Sequence, residues 1–165
     1  MGKTLDNLKA AFAGESQANR MYLAFAKKAD QEGYPQVAKL FRAAAAAETV
    51  HALSHFRTMG GVKDTKENLQ TAVNGENYEV VSMYPEFIKD AEAEGEKAAL
   101  TSFKWAWEVE KVHEELYRKA LASLGQEGET FDYYVCQGCG YTHEKSAPDK
   151  CPVCGAPASR FDKVE

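Results

Sequence analysis

Cysteine is absent from this 165-residue sequence until Cys136, and only five prolines occur in the whole chain. A long stretch without disulfide staples and nearly without helix breakers must be held by the packing of long helices. No apolar run approaches the roughly 18 residues that a membrane-spanning helix requires. The opening "MGKTLDNLKAAFAGESQ" lacks the apolar heart of a signal peptide, and Asp6 stands where a myristoylation signal requires Ser or Thr. A cytoplasmic protein with no membrane partner is expected. No arginine-rich stripe is present and the net charge is −5, which argues against nucleic acid as a partner.

What is present is unevenly placed. All four cysteines, Cys136, Cys139, Cys151 and Cys154, fall near the C-terminal end, together with three of the five prolines. The expected organisation is a helical domain over 1–125, a polar glycine-containing link over 126–132 ("QEGETFD"), and a cysteine module with short β-strands over 133–165. Glycines at 33, 60, 95 and 125 suit the left-handed residue that ends a helix, and Pro35 suits a first turn. Four helices are predicted, at about 4–32, 35–59, 66–94 and 96–124. Pro85 should kink or split the third of them, because it lacks an N–H.

Each predicted helix carries an inward stripe with steps of three or four residues, and each stripe contains glutamate. The stripes run Phe12, Glu15, Ala18, Tyr22; Phe41, Ala44, Glu48, His51, His55; Ala72, Glu76, Glu79, Met83; and Phe103, Ala106, Glu110, His113, Tyr117. No lysine or arginine lies on them, yet a buried carboxylate must be neutralised, paired or bound to metal. Spacing sharpens this. The interval from Glu15 to Glu48 nearly equals that from Glu76 to Glu110, the second being one position wider. Histidine follows at +3 in both later cases, His51 and His113. A single Glu-x-x-His occurs by chance on solvated faces. Two in register with two further seam glutamates form the donor set of a ferritin-like di-iron bundle. One asymmetry stands out: helix three adds Glu79 where helix one has Ala18. His55, lacking a matching repeat, reads as a core histidine, Trp105 and Trp107 read as core packing, and the run Ala43–Ala47 reads as plain helix with small side chains.

The tail, "CQGCGYTHEKSAPDKCPVCG", holds two Cys-x-x-Cys knuckles, each followed by glycine, with a single loop between them. Four thiolates at this spacing make a tetrahedral sulfur site for zinc or for a single iron. Two disulfides fit a cytosolic chain poorly. His143, between the knuckles, is expected at the surface.

These pieces together resemble the rubrerythrin family over essentially the whole chain: "AFAGESQANRMY" around Glu15, "ETVH" at 48–51, "GENYEVVSMYPEF" around Glu76 and Glu79, "EKVH" at 110–113, and "CQGCGY…CPVCG". The resemblance implies an all-α four-helix bundle of ferritin-like fold with a bridged di-iron site, followed by a rubredoxin-like module with one iron, where zinc can substitute. It implies a peroxidase that reduces hydrogen peroxide in oxidative-stress defence. Electrons would come from NAD(P)H through a rubredoxin or flavoprotein reductase. It also implies a homodimer, in which the cysteine site of one chain approaches the di-iron site of the other. By the same resemblance Glu48 and Glu110 are bridging ligands, Glu15 is terminal on one iron, and Glu76 and His113 are terminal on the other. Glu79 and His51 alternate on the first iron, Tyr22 and Tyr84 hydrogen-bond around the site, and Cys136, Cys139, Cys151 and Cys154 hold the third iron.

A different class of function fits the residues as well: an iron-handling ferroxidase with a structural zinc knuckle. Colour separates the two, since iron in the tail gives a red protein that bleaches on reduction.

Overall fold

The cysteine-free part forms helices where its periodicity places them. The computed structural model describes residues 2–164. Its elements, in chain order, are α1 (Lys3–Gln31), α2 (Pro35–Thr58), α3 (Thr65–Tyr78), α4 (Tyr84–Glu94), α5 (Lys97–Ser123), β1 (Tyr133–Cys136), β2 (Thr142–Glu144) and β3 (Phe161–Val164). The chain divides into two compact units, Met1–Lys63 and Asp64–Glu165. Among the described residues, no helix is long and apolar enough to cross a membrane.

In the first unit α2 returns along α1. The contact is made of small residues: Ala26 and Ala29 on α1, and Ala38, Ala45 and Ala52 on α2, are all buried. The seven-residue steps on α2 put its three alanines on one stripe, where the missing bulk lets the helix axes approach. Asn19 fixes the register. Its buried amide donates to the Ala45 carbonyl at 2.7 Å and to Thr49 Oγ1 at 2.9 Å. Phe12 and Phe56 stack with ring centroids 4.9 Å apart, closing one end. The alanine run therefore has a specific use, because Ala45 is its deeply buried member.

In the second unit the predicted third helix is split as Pro85 requires, but by a widened turn and not a break. Residues Glu79–Met83 form a π-turn between α3 and α4. The Tyr84 N–H bonds to the Glu79 carbonyl, five residues back. The next bond of that pattern would run from Pro85 to Val80, and proline has no N–H to make it. The indole Nε1–H of Trp107 takes its place, donating to the Val80 carbonyl at 2.8 Å. Trp105 departs from the core reading, since it is 37% exposed.

The cysteine module is a three-stranded antiparallel sheet in the order β2-β1-β3, with Val135 opposite Thr142 and Cys136 opposite Phe161. The knuckles are built alike. Gly140 N–H bonds to the Cys136 carbonyl at 2.8 Å and Gly155 N–H to the Cys151 carbonyl at 2.9 Å. Both glycines have positive φ, +88° and +77°, a region other residues enter only with strain. Cys136, Cys151 and Phe161 form the small core. His143 lies half-buried on β2 opposite Tyr134, a strand position and not a surface loop. The module rests on α5, where Lys119 Nζ meets Glu144 Oε2 at 2.5 Å.

Candidate metal centres

The predicted donors gather in three places. On α1 and α2, donor atoms of Glu15, Glu48 and His51 lie within 4.8 Å of one another. His51 Nδ1 is 3.0 Å from Glu48 Oε2. The Glu15 carboxyl, hydrogen-bonded to Glu48 and partly desolvated, holds its proton more tightly than usual, whereas Glu48, the acceptor from both Glu15 and His51, is pulled down. His55 is near enough to Glu15 for its charge to oppose that rise. Tyr22, two turns along α1, packs against Phe41 with ring centroids 6.1 Å apart.

The second cluster, in the other unit, joins Glu76, Glu110 and His113, again within 4.8 Å. Burial, reinforced by the Glu110 charge, pushes the Glu76 carboxyl up to about 7. Glu79, at the start of the π-turn, is raised by burial and by Glu110. Tyr84 is raised by burial and by the charges of Glu110, Glu79 and Glu76, which keeps its hydroxyl protonated. His113 is raised chiefly by its bond to Glu110, with Nδ1 2.6 Å from Oε2. In both clusters the carboxylate oxygens and an imidazole nitrogen converge where a cation would sit. Carboxylate oxygens with imidazole suit iron in either common oxidation state. The seam glutamates are half-buried in the chain and not fully buried as their stripe suggested.

A stability test follows from these shifts. Glu15, Glu76, Glu79 and His113 all bind protons more tightly folded than unfolded. The metal-free fold therefore carries extra protons from the ordinary carboxylate value of 4.5 up to about 7, and loses stability as pH rises through that window. Glu48 and Glu114, whose carboxyls are lowered, act in the opposite direction but below that window, and Cys151 does so only above about pH 7. We expect the melting midpoint of metal-free protein to be a few degrees lower at about pH 8 than at about pH 5.5. Saturating zinc should reverse the order, because metal requires deprotonated donors. A metal-free midpoint that rises with pH would count against the carboxylate pairing.

The third cluster is Cys136, Cys139, Cys151 and Cys154, all free thiols. Cys136 and Cys154 Sγ are 3.6 Å apart, and Cys139 and Cys151 Sγ 3.5 Å apart. These are far too long for disulfides and close to the edge of about 3.8 Å expected of a tetrahedron with metal–sulfur bonds of about 2.3 Å. Burial raises Cys139 and Cys154. Burial acts on Cys151 too, but backbone N–H groups of Cys154 and Val153 outweigh it and bring this thiol down to about 7. One sulfur is thus ready to ionise first.

Two residues at the helical site escape a reading of the sequence. Trp107 supports the π-turn that carries Glu79, and Thr142 reaches His113 from the cysteine module. Neither carries a motif. Pro85 was a faint pointer to the first, and only the docking of β2 on α5 exposes the second.

Comparison with known proteins agrees with this geometry. A family model described as rubrerythrin matches residues 6–121, and one described as the rubredoxin-like domain of rubrerythrin matches residues 134–162. Nigerythrin from Nitratidesulfovibrio vulgaris is 38% identical over an alignment covering 98% of this chain and 86% of that protein. Rubrerythrin from Porphyromonas gingivalis is 36% identical, covering 99% of this chain and 90% of that one. A solved structure of fully reduced, all-ferrous nigerythrin aligns with a TM-score of 0.60 at 36% identity, covering 99% of this chain and 88% of that one. The fold class is accordingly all-α and ferritin-like, followed by a small rubredoxin-like module.

Proposed function

The chain belongs to the rubrerythrin family, and on that premise we propose that it is a non-haem di-iron peroxidase. Its reaction is the reduction of hydrogen peroxide to water in defence against oxidative stress, with electrons from NAD(P)H delivered by a rubredoxin or flavoprotein reductase. The observation that carries this reading is the presence of two Glu-x-x-His clusters and a four-thiolate cluster in one chain. The cofactors are two irons among the helical donors and one iron among the cysteines, where zinc can substitute.

The proposed ligands divide by cluster. By the family resemblance Glu48 and Glu110 would be shared by the two irons, Glu15 would hold one, and Glu76 and His113 would hold the other. Glu79 and His51 serve as alternative ligands on the first. When bound, a ferrous pair supplies two electrons together, so that peroxide and two protons become two waters with no radical released. Glu48 and Glu110 would supply the negative charge that offsets the metals' change of charge. The protonated Tyr84 hydroxyl, among Glu76, Glu79 and Glu110, is available to donate a hydrogen bond at the site, and the family resemblance assigns Tyr22 the same part. The cysteine-bound iron is a one-electron carrier whose potential is set by burial and hydrogen bonds around sulfur.

Met21, Leu23, Phe25, Leu40, Val50 and Leu53 are exposed on α1 and α2 of the chain. Their exposure supports the homodimer reading, in which a second copy would cover them.

The test is anaerobic. Protein loaded with iron and chemically reduced should consume about one peroxide per helical iron pair, leaving water and no detectable hydroxyl-radical adduct. An iron-loaded protein that oxidises ferrous ions with oxygen but leaves peroxide untouched would be a ferroxidase instead.

A further inference from the structure

Thr142 is not a sulfur ligand, and nothing in the peroxidase reading uses it. It stands on β2, three residues past Cys139 and paired with Val135 next to Cys136. Its hydroxyl is nevertheless 2.9 Å from Nε2 of His113 on α5. The same hydroxyl donates to the Gly140 carbonyl at 3.2 Å. A threonine hydroxyl has one proton and two lone pairs. With its proton on Gly140, it can only accept at His113. Nε2 must then carry a hydrogen, and Nδ1, facing Glu110 Oε2 at 2.6 Å, is left as the nitrogen that meets a cation.

We propose that Thr142 is a positioning residue for the helical metal centre: by accepting the Nε2–H of His113 it fixes the tautomer and ring angle that present Nδ1 to the metal. The inference rests on the reading of His113 as a ligand. It follows the general pattern in which a ligating histidine gives its second N–H to an outer partner. Here the partner is supplied by the cysteine module, so the fold of one metal site positions a ligand of the other.

The two histidines are unequal in this respect. His51 has Glu48 at 3.0 Å, its side chain is 55% exposed, and among the described residues no side chain takes its Nε2. His113 is held at both nitrogens and its side chain is 27% exposed. His113 is built as a fixed ligand and His51 as one free to swing. A cleft of about 280 Å³, lined in part by Leu69, Tyr117, His113 and Thr142, lies beside the His113–Thr142 bond. Water from this cleft can partly replace a lost hydroxyl, which limits the effect of removing it.

The experiment uses the full chain with zinc in the cysteine site and cobalt(II) titrated into the helical donors. Thr142→Val, which keeps shape and strand preference, should weaken cobalt binding about tenfold. Thr142→Ser should restore it. In zinc-filled, nitrogen-15-labelled protein, the His113 Nε2–H resonance should be slow to exchange in wild type and Thr142→Ser, and fast in Thr142→Val. Integrity of the module is read from the iron–thiolate absorption of each variant in its iron-loaded form. If Thr142→Val disturbs that absorption, Thr142→Ala against Thr142→Ser gives the same comparison. Unchanged cobalt affinity with a protected Nε2–H in the variant lacking the hydroxyl overturns the inference. His113→Ala separates the two levels. If it weakens cobalt binding while Thr142→Val does not, Thr142 alone is misassigned. If it leaves cobalt binding intact, the reading of His113 as a ligand falls.

Discussion

Replacing Cys136 and Cys139 together with serine is expected to lower the metal content from about three per chain to about two and to abolish NAD(P)H-driven peroxide turnover. A four-coordinate sulfur site is closed, and two remaining thiolates, Cys151 and Cys154, do not hold iron against solvent. The helices do not depend on it. Their contacts are the alanine stripe, the Asn19 bonds and the Trp107 bond to Val80, none of which involves a cysteine. Helical circular dichroism should therefore persist, and chemically pre-reduced variant should still consume peroxide once. The helical metals should bind more weakly, because a loosened β1–β2 hairpin no longer holds Thr142 against His113. The measurement is metal analysis per chain with single-turnover and coupled peroxide assays on the same preparation. Loss of all metal, or of the single turnover, would show that the chemistry does not reside in the helices.

Why so much of this protein could be read from its sequence is itself physical. Carboxylates on an inward stripe without basic partners violate the ordinary economy of a helix core, and such violations mark function. Glu15, Glu48, Glu76 and Glu110 were legible for that reason, and the histidines at +3 named the chemistry. The cysteines were legible because thiolate spacing is set by knuckle geometry over four residues. What stayed hidden depended on packing between segments distant in sequence. That Pro85 would yield a π-turn was decided by Trp107, on the following long helix, whose indole replaces the missing donor. Thr142 looked like any strand residue until β2 lay against α5. The alanine run looked like plain helix and Asn19 carried no signal, yet Ala45 and Asn19 set the approach and register of α1 and α2. The resemblance to rubrerythrin carried the fold class and cofactors, whereas the exposure of His51 and the anchoring of His113 were features only coordinates could give.

Glu79→Ala is expected to slow peroxide turnover by about 10- to 100-fold while leaving two metals bound among the helical donors. Glu79 is the one seam carboxylate without a counterpart, since Ala18 occupies the matching place on α1. It stands where α3 gives way to the π-turn, and such turns occur often at functional positions in helices. The turn inserts one extra residue into the helix, which matches the interval from Glu76 to Glu110 being one position wider than that from Glu15 to Glu48. Burial and Glu110 raise the Glu79 carboxyl, so in the metal-free protein it takes up a proton more readily than a solvated glutamate. Its proposed alternative, His51, is the more exposed and less anchored of the two histidines. Ferric iron is the harder ion and favours anionic oxygen, while ferrous iron accepts imidazole well. Glu79 should therefore ligate in the oxidised protein and His51 in the reduced protein, with His113 unchanged in both. Glu79→Asp, one methylene shorter, should recover only part of the rate, and His51→Ala should affect the reduced form more than the oxidised one. The deciding measurement is a pair of structures of the iron-loaded protein, one oxidised and one chemically reduced. If Glu79 and His51 keep the same ligation in both, the exchange does not occur, and the slow turnover of Glu79→Ala would have to come from charge alone. Glu79→Gln, which keeps an oxygen but loses the charge, should slow turnover nearly as much as alanine under either reading, so the pair of structures is what separates them.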